Sequence, residues 1–135
     1  MKALITIFTG AALALAGTAA SASLSPRDKD RGEARLAHML DGRTAGQPVS
    51  CIQTARSDKL QVIDGVAVVY DAGRTIYVAR PTDPRMLGRN DALVLNRFSP
   101  SRLCVQESMR TVDRYDGTHT GVVFLKDFVP YTKAG

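Results

Sequence analysis

Few side chains in this sequence could do chemistry, and their types and spacing decide how far each can be taken. Histidine occurs twice, as His38 and His119, and cysteine twice, as Cys51 and Cys104. A Ser-His-Asp hydrolase of the common α/β kind displays its serine on a G-x-S-x-G elbow ahead of a helix. No such elbow occurs, and neither histidine sits in a recognisable motif. Zinc needs about four ligands, for which two thiols and two histidines at scattered positions are a poor set. A redox pair would more typically show C-x-x-C spacing. Asp64, Asp71, Asp113 and Asp127 could supply the carboxylate pair of a glycosidase, but most fall at turns or strand ends, where aspartate is common for conformational reasons. Phosphate loops fail too, since neither G-x-x-x-x-G-K-[ST] nor a strand-linked G-x-G-x-x-G is present. No catalytic, metal-ligating or cofactor-binding residue is therefore assigned.

The elements that would position any site begin after an export signal. Lys2 forms a short basic region, Ala3 to Ala16 an apolar run, and small residues continue to Ala22. Ala20 and Ala22 fit the A-x-A rule, which predicts cleavage between Ala22 and Ser23, with cleavage after Ala20 as the alternative. A retained membrane anchor is disfavoured by the Thr, Gly and Ala content and by the lack of a stop-transfer cluster of Lys and Arg. A lipoprotein would need a cysteine at the first mature position, and the nearest is Cys51. The expected organisation is a signal peptide over residues 1–22 and a single small globular domain over 23–135, periplasmic or secreted, with no membrane span once the signal is removed.

Export bears on the charge and on the cysteines. The formal net charge of +5 falls by one without Lys2, and the arginines are scattered and interleaved with aspartates. Nucleic-acid binders concentrate such charge in a patch or stripe, so nucleic acid is not the expected partner, while an anionic envelope surface remains one. In an oxidising compartment two cysteines in a small domain usually pair, so Cys51 and Cys104 are expected to form a disulfide. In the chain-entropy model a loop of this length is worth on the order of 4 kcal/mol.

Helical signals occur once. Ser25 can cap, Pro26 suits the first turn, and Asp30 with Glu33 offers an alternative capping box; Gly42 ends the helix. At 100° per residue Leu36, Met39 and Leu40 share one face, with Arg31, Arg35 and His38 opposite. From Val49 the period becomes that of strands. Val49 to Thr54 and Leu60 to Ile63 read as strands, and Asp64-Gly65 as a tight turn or bulge. Val66 to Tyr70 and Thr75 to Ala79 form a β-hairpin across Asp71 to Arg74, with Gly73 left-handed. Residues 80–90, holding Pro81, Pro84 and Gly88, read as a long loop, a candidate binding loop or a tolerated insertion. Ala92 to Asn96 and Arg102 to Gln106 follow as strands, then a second hairpin joins Met109 to Tyr115 with Thr120 to Leu125. In the tail, Phe124, Phe128 and Tyr131 are expected to fold back and complete the core.

Several segments together carry a resemblance: Gly-Glu-Ala-Arg-Leu (32–36), Pro-Val-Ser-Cys-Ile (48–52), Ile-Asp-Gly (63–65), Ile-Tyr-Val (76–78), Leu-Cys (103–104) and Gly-Val-Val-Phe-Leu-Lys-Asp-Phe-Val-Pro-Tyr (121–131). This succession resembles short exported proteobacterial proteins of unknown function. The resemblance implies a Gram-negative envelope location and carries over no activity.

The expected fold is α+β and mostly antiparallel, with one N-terminal helix packed on a small sheet or partly open barrel of about six to seven strands and one disulfide. The expected function is a non-enzymatic binding or accessory module of the cell envelope, binding through residues 80–90 or through a sheet edge, with an envelope protein or an anionic envelope surface as partner and no cofactor. The alternative is a small exported hydrolase whose site is assembled from distant residues.

Overall fold

The computed structural model describes residues 25–55 and 59–135. The signal segment and the Ala22-Ser23 junction lie outside the described residues. Pro26–Leu40 form helix α1, and ten strands follow: β1 (Arg43–Ala45), β2 (Cys51–Gln53), β3 (Leu60–Ile63), β4 (Ala67–Asp71), β5 (Thr75–Ala79), β6 (Asp91–Leu95), β7 (Arg102–Cys104), β8 (Met109–Asp113), β9 (His119–Val123) and β10 (Val129–Lys133). They make three antiparallel sheets, ordered β1-β10-β5-β4-β3, β2-β7 and β6-β8-β9. Among the described residues the α+β class and the single α-helix are as the sequence predicts, but the strand number exceeds the expected six to seven.

Two of the extra strands come from the ends of the domain. The tail does more than fold back: β10 is an interior strand of the five-stranded sheet, between β1 and β5. Pro130 is tolerated there because its carbonyl points to the β1 side, accepting from Gly46 N at 2.7 Å. The absent proline N–H lies on that same side, beyond Ala45, where β1 has already ended. Segment β1 has no apolar alternation of its own. Besides its ladder to β10, Arg43 fastens it by donating from Nη1 and Nη2 to the carbonyls of Arg74 and Gly73, at 2.7 and 3.2 Å.

The five-stranded sheet is buried on both faces, and β4 shows the alternation most plainly. Ala67 and Val69 face α1 together with Ile63, Val66, Ile76 and Val78, and Leu36 of the helix fills that layer. Val68 and Tyr70 face the other way, into a larger core with Ile52, Leu87, Leu103, Met109, Val123, Leu125 and Phe128. The molecule thus has three layers: helix, large sheet and the two small sheets. Each fully buried Leu or Phe is worth about 1.5 to 3 kcal/mol in transfer free energy.

Helix α1 lies close against the sheet because Gly32 faces it. A Cβ at that position would stand 2.7 Å from Val66 Cγ2 and 3.1 Å from Ile63 Cγ2. The helix starts at Pro26, as one of the two expected start signals indicates, but Ser25 makes no side-chain cap bond. The Asp30/Glu33 capping box is not used, since both residues lie inside the helix and Glu33 pairs elsewhere.

The hairpin across Asp71 to Arg74 forms as expected. Asp71 Oδ1 accepts from Gly73 N at 2.8 Å, and Gly73 takes φ 88°. The segment 80–90 is irregular apart from a 3₁₀ turn at Pro84–Met86, yet it is no free insertion. Leu87 is fully buried, its carbonyl accepts from Gly65 N at 2.8 Å, and Thr82 N donates to Phe124 O at 2.8 Å. This loop is part of the core. The expected assignment of Phe124 to the core is incorrect: its side chain is 62% exposed while Phe128 is fully buried.

Candidate functional site

Cys51 and Cys104 face each other across β2 and β7 and are joined by a disulfide, with Cα atoms 4.0 Å apart. That spacing belongs to a non-hydrogen-bonded antiparallel pair, in which opposed side chains approach most closely. The bond staples the small β2-β7 sheet under the core and is structural.

The other residues singled out by type do not converge. His38 is exposed near the end of α1, and His119 is exposed at the start of β9. Neither makes a hydrogen bond or ion pair with a carboxylate among the described residues. Asp71 is occupied by its turn, and Asp113 Oδ1 accepts from Tyr115 N at 2.7 Å and Asp116 N at 3.3 Å. Asp127 is exposed. Among the described residues no three His, Cys, Asp or Glu side chains could hold a metal ion, and no helix is long and apolar enough to cross a membrane.

What the fold does build is an outward-facing sheet surface, with a β-bulge between Thr111 and Val112 of β8. In β6-β8-β9 the inward residues Leu93, Leu95, Met109, Thr111 and Val123 meet the core, so their neighbours in sequence must point out. The register sets Val94, Arg110 and Val122 side by side, with Ala92, Val112 and His119 as the next row. Asn96, Ser108 and Phe124 extend the three strands by one residue at the other end. Val94 is 45%, Val122 40% and Phe124 62% exposed. Apolar side chains therefore hold five of nine positions on a solvent-facing surface, and the only permanent charge is Arg110 at the centre. Nothing in the amphipathic pattern announced this, because Val-Val-Phe-Leu at 122–125 reads as a buried run.

Beside this face stands a loop held by buried polar groups. Glu107 is only 7% exposed, and its two carboxylate oxygens accept from Phe98 N and Cys104 N, both at 3.1 Å. Arg97 Nη1 donates to the Oγ1 of buried Thr54 at 3.0 Å and to Pro100 O at 3.2 Å. Thr54 N in turn donates to Ser101 O at 2.8 Å. These bonds fix the backbone from 97 to 101 while Phe98 stands 94% exposed at its tip.

A second feature is a cleft of about 200 Å³ between the first half of α1, the β3-β4 turn and Arg89, lined by Asp28, Arg31, Gly32, Arg35, Ile63, Asp64 and Arg89. Arg89 pairs with Asp28, and Arg35 Nη2 donates to Gln61 Oε1 at 3.1 Å. Asp64 is half-buried, and burial pushes its carboxyl above the ordinary range, with the charges of Arg114, Arg89 and Arg35 acting against that and Asp91 with it.

Compared with known protein families, curated proteins and solved structures, the chain matches no family model, no curated protein and no solved structure.

Proposed function

We propose that this protein is an exported, disulfide-stapled binding or accessory module of the cell envelope, which docks on another envelope protein through the outer face of β6-β8-β9. The observation that carries the reading is the register-built grid around Arg110, with Phe98 presented beside it. Contiguous apolar residues left in water by a well-packed small domain mark an interaction surface. Aromatic and Arg anchors are also what the energetic centres of interfaces favour. The disulfide, the basic-apolar-small order of residues 1–22 and the resemblance to short exported proteobacterial proteins support the address.

The charge on the face narrows the partner. A second copy docked face to face on the same grid would bring Arg110 against Arg110, and a buried like-charge contact costs several kcal/mol. An acidic group set among apolar side chains complements it instead. The test is pull-down from the envelope fraction of the producing cell with the exported protein, its Val122→Asp and Arg110→Glu variants, and a control variant at the β4-β5 turn, Arg74→Glu. The expected result is a partner retained by the parent and the Arg74 variant and lost by both face variants. A partner set unchanged by Val122→Asp and Arg110→Glu contradicts the reading.

A further inference from the structure

The cleft beside α1 shares no residue with the docking face, and two of the charged groups that line it, Arg31 and Asp64, are not used by the fold. Arg31 and Arg35 lie one turn apart on an exposed helical face, a like-charge spacing that costs a few tenths of a kcal/mol. Arg31 makes no hydrogen bond or ion pair among the described residues. Asp64 likewise has no hydrogen-bond partner among them, although Arg35, Arg89 and Arg114 are near enough to act on its charge. The half-buried carboxylate and the guanidinium groups thus share one cleft without touching. Gly32 keeps the floor low, since a side chain there would clash with Val66 and Ile63.

We infer that this cleft binds a small hydroxylated anion, a carboxylate or phosphate carried on a sugar-like polyol, with Arg31 and Arg35 on its acid group and Asp64 accepting from a hydroxyl. Guanidinium groups recognise both acids through paired charge-assisted N–H donors. A carboxylate held apart from its surrounding arginines leaves a gap that a ligand with an acid at one end and a hydroxyl at the other bridges. Such a ligand also separates the positive and negative groups into matched contacts. At about 200 Å³ the cleft has room for a group the size of one sugar ring.

The experiment is a titration of the full exported protein followed by amide chemical shifts. D-glucuronate and glucose 6-phosphate are the two probe acids; glucose and acetate are controls that each lack one of the two required groups. Saturable shifts at Gly32, Asp64, Gly65 and Arg89 with one or both acidic sugars, and weaker binding of glucose and acetate, are expected. Which acidic sugar binds more tightly identifies carboxylate or phosphate as the recognised group. Arg31→Gln, at an exposed and unpaired position, weakens binding about tenfold, the loss of one charge-assisted contact. Asp64→Ala removes the advantage of glucuronate over acetate. Three results would each overturn the inference: no saturable shift up to tens of millimolar of either acid, acetate equal to glucuronate with the parent protein, or unchanged affinity in Arg31→Gln. Because Val122 and Arg110 lie outside the cleft, failure here leaves the docking face untouched, and the converse holds.

Discussion

Arg80, just past the end of β5, and Glu33, in the middle of α1, form a two-pronged ion pair with Nη1 to Oε1 at 2.7 Å and Nη2 to Oε2 at 3.0 Å. With the Arg89 and Asp28 pair it fastens the helix to the rest of the fold at two points. The Arg80 guanidinium holds the Glu33 carboxyl below its ordinary range, against a smaller opposing effect of burial. A lowered carboxyl contributes stability that is present above the unfolded-state value and lost as pH falls through the folded one. Glu33→Gln should therefore lower stability by under about 1 kcal/mol at neutral pH, as for other partly exposed pairs, and by nothing in acid. Urea unfolding of parent and variant across that range checks it; a constant difference at all pH values argues against the pair.

Asp64 has the opposite sign. Its folded carboxyl titrates above the unfolded one, so its favourable state is the protonated one, and that contribution is lost as pH rises through the folded value. Asp64→Asn should be more stable than the parent at neutral pH, with the gap closing as the pH drops through the carboxylate range. Thermal melts at matched pH values measure it. A parent protein that outlasts the variant at neutral pH excludes this account of the burial.

Gly32→Ala sets two effects against each other. Alanine gains up to about 1 kcal/mol in helix propensity, but its methyl must displace Val66 Cγ2 and Ile63 Cγ2 on a packed sheet. Overpacking of this kind costs about 1 to 3 kcal/mol, so net destabilisation is expected. A variant with a raised melting temperature would show that α1 can lift without loss.

Glu107→Ala should cost about 2 to 4 kcal/mol, because it leaves the Phe98 and Cys104 N–H groups without their acceptors. Glu107→Gln keeps one acceptor and should cost less. Amide exchange at Phe98 reads the loop directly: protection should fall in both variants, most in Ala. Equal protection in all three proteins rules out the carboxylate as the anchor.

Local chemistry was legible in the sequence. The Asp71 to Gly73 turn, the strand Leu60–Ile63 and the paired cysteines follow from residue types whose preferences act within a few positions or within one compartment. Relationships set by tertiary contact were not. Gly32 reads as a weak point in a helix until the sheet beneath it is known, and Leu87 reads as one apolar residue in a polar loop. Pro130 argues against an interior strand unless β1 is seen to stop at Ala45. The docking face was hidden for a related reason. Val94, Val122 and Phe124 sit in runs apolar on both alternations, so nothing in their order says which side meets water. Asp64 belongs to a turn, and its charged neighbours in the cleft come from two separate segments, α1 and residues 80–90.

The most direct measurement of the docking face is site-specific photocrosslinking in intact cells, with p-benzoylphenylalanine placed in turn at Val94, Val122 and Arg74. The account predicts one discrete protein adduct shared by positions 94 and 122, abolished when Arg110→Glu is added, and absent from position 74. No adduct at 94 and 122, or the same adducts from all three positions, contradicts it.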